Sequence, residues 1–160
     1  MTSKTLECGC KFEIHNDRIM YEPNIEKLPL NCQATWDLIC DGNTKGVFQL
    51  ESQLGRSMAE RVKPHNIEEL SDLIAIIRPG CMEAIVDGKS LTQHYIDRKH
   101  SIDPVEYFHD ALKPILSSTY GILVYQEQAL LIARDIGGFD LQEADILRKA
   151  IGKKKAGVMA

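Results

Sequence analysis

Nothing in this sequence approaches the roughly 18–20 consecutive apolar residues that a membrane span needs. A spanning helix is therefore excluded from these 160 residues, and no membrane partner is expected. The opening stretch, Met1-Thr-Ser-Lys-Thr-Leu-Glu7, lacks the apolar segment of a secretory signal. A cytoplasmic module with reduced thiols is the expectation, and the five cysteines, an odd number, agree with it. No internal repeat and no low-complexity segment occurs. The phosphate-cradling pattern GxxxxGK[ST] is missing, since Gly42-Asn-Thr-Lys-Gly46 does not fit it. Cys81 follows Arg78-Pro-Gly80, but no local signature couples it to a histidine, so no catalytic residue is assigned. Cys8, Cys10, Cys32 and Cys40 are the one candidate zinc set. Their spacing is irregular for structural zinc, and a lone His15 adds little, so no metal site is expected. Cys32, Cys40 and Cys81 serve equally as small buried apolar residues.

What is present is a chain polarised in charge. Its pI near 5.7 is ordinary. Five of the 19 basic residues, Arg148, Lys149, Lys153, Lys154 and Lys155, nevertheless lie from position 148 onward, with none of the 23 acidic ones. They sit at the end of a helix that Asp140 and Glu143 begin as a capping box. Leu141, Ala144, Leu147 and Ile151 form its apolar stripe, and Gly152 is placed just past its end. Lysines at a helix C-terminus complement the macrodipole and commonly sit in water. Arg148 is different, because it lies inside the helix. Asp145, three and four residues before Arg148 and Lys149, is placed to order both side chains. An ordered guanidinium can grip phosphate through two parallel hydrogen bonds.

The remaining pattern divides the chain into a small β-like part, residues 1–33, and a helical part, residues 34–160. Lys11–Ile14 and Arg18–Tyr21 read as a hairpin around His15-Asn16-Asp17. Helices are expected from Thr35 to Asp41, from Ser52 to Val62, and from an Asn66 cap through Ile67, Leu70, Leu73, Ile74 and Ile77 to a stop at Pro79-Gly80. Others follow near 90–99, 110–117 and 124–136, and last comes the basic helix. The fold class is mainly α, a multi-helix module with a β-hairpin appendage, and 44% hydrophobic content can supply its core.

Five blocks in order carry a family resemblance: Phe48-Gln-Leu-Glu-Ser52, Arg78-Pro-Gly80, Asp97-Arg-Lys-His100, Tyr120-Gly-Ile-Leu-Val-Tyr-Gln-Glu-Gln128 and Ala144-Asp-Ile-Leu-Arg-Lys-Ala-Ile-Gly-Lys-Lys-Lys155. Over roughly 34–160 the chain resembles the fingers region of the bacterial replicative DNA polymerase III alpha subunit, a C-family enzyme. The resemblance implies nucleotidyl transfer onto a DNA 3′ end, with two magnesium ions held by palm aspartates. The Pro-Asp-x-Asp-x-Asp type palm motif does not occur here, so a fragment or split subunit, inactive alone, is the expectation.

The resemblance assigns Arg148, Lys149, Lys153 and Lys154 to the triphosphate of the incoming dNTP. Lysine stands at 149 where the family often has arginine, which keeps the charge and loses the planar fork. Tyr120, Tyr125 and Gln126 become the pocket wall, although core packing explains the tyrosines equally well. Arg78, Arg98, Lys99 and His100 become contacts to DNA phosphate or the palm. The implied partners are DNA, dNTP and a palm or other replication subunit in trans. The alternative is a non-catalytic nucleic-acid-binding or protein-interaction module derived from the polymerase.

Overall fold

The structure, a computed structural model, describes the backbone of residues 2–5, 11–15, 18–20 and 152, and residues 30–151 in full. The chain divides into two compact units, Met1–Leu73 and Ile74–Ala160.

In the first unit, strands β1 (Thr2–Thr5), β2 (Lys11–His15) and β3 (Arg18–Met20) form an antiparallel sheet in chain order. His15 pairs with Arg18 and so belongs to the strand where a turn residue was expected, and Ile14 pairs with Thr2 on the other side. Strand β1 was not foreseen, because Thr-Ser-Lys-Thr has no apolar alternation. Helix α1 (Gln33–Cys40) starts two residues before the expected Thr35, with Cys32 at its N-cap. It buries Trp36 and Ile39, and the Trp36 indole N–H donates to the Leu30 carbonyl at 2.9 Å. Gly42, at φ 68°, ends it as expected. The Gly42 N–H reaches the Ile39 carbonyl and the Asn43 N–H that of Leu38, which closes the last turn.

Helix α2 (Gln53–Val62) starts where Ser52 accepts the Gly55 N–H at 3.0 Å, and it packs on α1. Buried Thr44 donates to the Leu50 carbonyl at 2.6 Å and so closes the turn between the two helices. Helix α3 (Ile67–Ile76) opens on the expected Asn66 cap, whose side chain accepts the Glu69 N–H at 2.8 Å. Leu73 is buried, whereas Ile67 is exposed.

In the second unit Ile76, at the end of α3, is buried. Helix α3 stops before Pro79-Gly80, as expected, and the same pair opens a further helix that was not foreseen, α4 (Pro79–Glu83). Proline has no N–H to leave unpaired in a first turn and its φ is already helical, so it suits a start as well as a stop. A second hairpin follows, β4 (Ile85–Val86) and β5 (Lys89–Ser90). Its turn, Asp87-Gly88, has positive φ at both residues, the geometry that Asp-Gly favours. Ser90 caps α5 (Leu91–Lys99), which buries Tyr95 and Ile96. A 3₁₀ turn, Asp110–Leu112, leads into α6 (Lys113–Leu116), and a second, Ser117–Thr119, follows it. Helices α7 (Gln126–Asp135) and α8 (Leu141–Gly152) pack on each other. The described residues are mainly α, as expected. None of their helices is long and apolar enough to cross a membrane.

Candidate functional site

Helix α8 begins as its sequence dictates. Asp140 accepts the N–H groups of Gln142 and Glu143 at 2.8 Å each, and the Glu143 carboxylate accepts the Asp140 N–H at 3.0 Å. The buried face differs from the expected stripe. Ala144 and Ala150 are buried, while Leu141 and Ile151 are exposed. Gly152 belongs to the helix instead of following it.

The charged face is built around Asp145. One of its oxygens accepts from Arg148 Nε at 3.0 Å and Nη2 at 2.8 Å, and the other meets Lys149 Nζ at 2.6 Å. The Lys149 hydrogen bond, then that of Arg148, holds the Asp145 carboxyl below its ordinary pKa. The remaining Arg148 fork, Nη1, donates to the Gln126 side-chain carbonyl at 2.9 Å. Arg148 and Gln126, twenty-two positions apart, are thus brought together. Lys153 and Lys154 lie outside the described residues.

Gln126 is the first residue of α7, and its placement rests on the segment before it. Buried Gln128 takes the Val124 and Tyr125 N–H groups on its carbonyl oxygen, both at 2.9 Å. Its amide nitrogen donates to Thr119 Oγ1 at 2.8 Å and to the Ile115 carbonyl at 3.3 Å. Thr119, fully buried, donates in turn to the Ile122 carbonyl at 2.6 Å. All four hydrogen-bonding positions of the Gln128 amide are therefore filled. Tyr120 lies within this frame at φ 53°, unusual for a bulky residue. Its ring meets Tyr95 edge to face at 5.2 Å. Arg98 Nη1 donates to its backbone carbonyl at 3.1 Å. Gly121, at φ 79°, passes so close to the Glu106 carbonyl that a Cβ would come within 2.7 Å of it.

Of the residues assigned to DNA or palm contact, Arg98 therefore reaches inward to the Tyr120 turn. Arg78 is exposed at the N-cap of α4, and Lys99 and His100 close α5. Beside them stands an ionic cluster that sequence reasoning missed. Asp97 accepts from Lys89 at 2.7 Å and from Gln93 at 2.6 Å, and Lys89 also reaches Asp103 at 2.8 Å. The Lys89 hydrogen bond is the main cause that lowers the Asp97 pKa, and the bonds to Asp103 and Asp97 raise that of Lys89. Thr119 and Gln128 were missed as well. A glutamine three residues after Tyr125 was the signal available for one of them, and Thr119 carried none.

Cys32 is buried, and the Cys40 thiol lies 3.4 Å from the Pro64 carbonyl. Cys8 and Cys10 lie outside the described residues. Among the described residues no group of three or more His, Cys, Asp or Glu side chains is placed to hold a metal ion.

A helical module that orders an arginine on its last helix, behind a locked aromatic turn, is the class that fold and site define. The family model for the bacterial DNA polymerase III alpha subunit finger domain matches residues 10–160, and the chain belongs to that family. It is similar to the DNA polymerase III subunit alpha of Aquifex aeolicus, 40% identical over 92% of this chain and 12% of that protein. The protein of the same name from Halalkalibacterium halodurans is 46% identical over 82% of this chain and 11% of its own length. For Staphylococcus epidermidis the identity is 41% over 85% of this chain and 12% of that protein. The chain thus spans about an eighth of the length of these relatives.

Proposed function

We propose that this chain serves DNA replication as the fingers of a DNA-directed DNA polymerase, a nucleotidyltransferase, and that its basic helix receives the triphosphate of an incoming dNTP. The observation that carries this reading is the order imposed on Arg148 by Asp145 and Gln126. A guanidinium fixed before the ligand arrives loses little entropy on binding, and it can offset the charge that grows on the leaving pyrophosphate. In the bound state phosphate oxygens replace Asp145 on the Nε and Nη2 edge, because a triphosphate of about four negative charges outcompetes one carboxylate. Lys149, Lys153 and Lys154 add charge, and Tyr120, Tyr125 and Gln126 form the pocket wall. Arg78, Lys99 and His100 face DNA or the palm, while Arg98 holds the Tyr120 turn. The proposed partners are DNA, dNTP and a polymerase palm or other replication subunit, in the cytoplasm. Magnesium would be held by the aspartates of that palm, as the family resemblance implies.

Titration of the chain with dATP tests the reading. Arg148→Ala is expected to weaken binding about ten- to a hundredfold, the worth of a charged hydrogen bond. Lys155→Ala is expected to weaken it far less, and added salt should weaken it in every variant that still binds. Equal, small effects from the two substitutions would favour a solvated helix end and remove the assignment. Primer extension by this chain alone, with template, nucleotides and magnesium, is expected to give no product.

A further inference from the structure

We propose that Thr119 and Gln128 are positioning residues, whose buried hydrogen-bond lock aims Gln126 at Arg148 and so sets the geometry of the phosphate-binding arginine. The inference rests on the nucleotide reading above and adds to it a part of the molecule that touches no ligand. The connection runs through consecutive contacts. Thr119 Oγ1 donates to the Ile122 carbonyl at 2.6 Å and accepts from Gln128 Nε2 at 2.8 Å. Gln128 Oε1 takes the N–H groups of Val124 and Tyr125 at 2.9 Å each, and the Gln128 N–H returns to the Tyr125 carbonyl at 3.2 Å. This box fixes the first turn of α7, where Gln126 presents its carbonyl to Arg148 Nη1 at 2.9 Å.

The segment needs such a lock. A bulky residue in the left-handed region, as Tyr120 is, costs on the order of 1–3 kcal/mol and persists only where its surroundings over-determine it. The hydroxyl of Thr119, the amide of Gln128, the Arg98 contact to the Tyr120 carbonyl and the edge of Tyr95 together do so. These groups are neutral apart from Arg98, and both lock residues are buried. The lock therefore positions the site without adding competing negative charge beside it.

A double-substitution cycle on the full chain, with dATP as probe, tests the proposal. Thr119→Val keeps the shape and removes the hydroxyl. It is expected to lower dATP affinity about five- to tenfold, as coupled neighbours do, and Thr119→Ser is expected to restore it. In a Gln126→Ala background Thr119→Val should lower affinity no further, because the residue through which it acts is already gone. Its effect on thermal stability should be the same in both backgrounds. Additive losses of affinity would overturn the proposal and leave Thr119 a stabilising residue only. A second readout needs no ligand: Thr119→Val, or Gln128→Glu if the valine variant does not fold, should shift the Arg148 Nε–Hε NMR signal, and an unmoved signal overturns the lock. Were Arg148→Ala to leave dATP affinity untouched, the nucleotide reading would fall, and the NMR signal alone would decide whether the lock aims Gln126.

Discussion

The loop after α5 and the segment before α7 are both fastened from within, by opposite means. After α5 the fastening is ionic. Lys89 spans Asp97 and Asp103, with its side chain 41% exposed, while that of Asp97 is 8% exposed. Before α7 the buried fastening is neutral: the Thr119 hydroxyl donates to a backbone carbonyl, and both hydrogens of the Gln128 amide find acceptors. Neutral groups can be buried whole when their hydrogen bonds are matched. A charge resists that, so lysine covers apolar surface with its stem and keeps its ammonium near water. Where the backbone must hold a strained course beside a cationic site, the neutral fastening also avoids drawing counter-charges away from it.

The fastening before α7 is most vulnerable at Gly121. Its φ of 79° and the 2.7 Å approach of a Cβ to the Glu106 carbonyl leave no room for a side chain. Gly121→Ala is expected to destabilise the second unit by about 3 kcal/mol, from left-handed strain together with overpacking. Urea denaturation measures it, and a loss below that of Thr119→Val would mean that the turn yields more readily than its contacts suggest.

Thr119→Val and Asp97→Asn come next, at about 2 kcal/mol each for a buried group left without its partner. They should part company in salt. Raising sodium chloride from about 0.1 to 1 M shortens the screening length from about 10 to 3 Å, which should narrow the Asp97→Asn deficit and leave that of Thr119→Val unchanged. Acid should separate them too. The folded pKa of Asp97 is lowered, so its contribution is complete above the ordinary aspartate value, about 3.9, and is lost as pH falls through the folded value. The gap between wild type and Asp97→Asn should be flat from about pH 7 to 5 and close below about pH 4. Lys89 mirrors this: its folded pKa is raised, so its contribution is complete below the ordinary lysine value and is lost as pH rises through the folded one. Deficits that track each other through salt and acid would erase the distinction between the two fastenings.

The smallest effect is expected from Gln93→Ala, about 1 kcal/mol or less. It removes one neutral donor from Asp97 and leaves the Lys89 pair in place. Chemical denaturation at low salt would resolve it.

Much of the helical layout was legible because its causes are local. Ser52, Asn66, Ser90 and Asp140 accept backbone N–H groups two or three residues ahead, so cap and capped group lie in one short stretch. The triad of Asp145, Arg148 and Lys149 was legible for the same reason, since helical spacing alone puts the three side chains on one face. The failures have local causes as well. Pro79 suits the start of a helix as well as its end, and an apolar tally along α8 cannot say that Ala144 and Ala150 would be the residues covered.

By itself the sequence determined most of the helices, the caps at Ser52, Asn66 and Asp140, the charge of α8 and the family to which the chain belongs. Tertiary structure alone decided that Arg148 meets Gln126, that Arg98 turns inward to the Tyr120 carbonyl, and that Thr119 and Gln128 lock the turn between them. The physical reason is that these partners stand between 9 and 22 positions apart. A residue's type announces its capacity to donate or accept, and only the packing of α5, α6, α7 and α8 brings a particular partner within 3 Å or so of it.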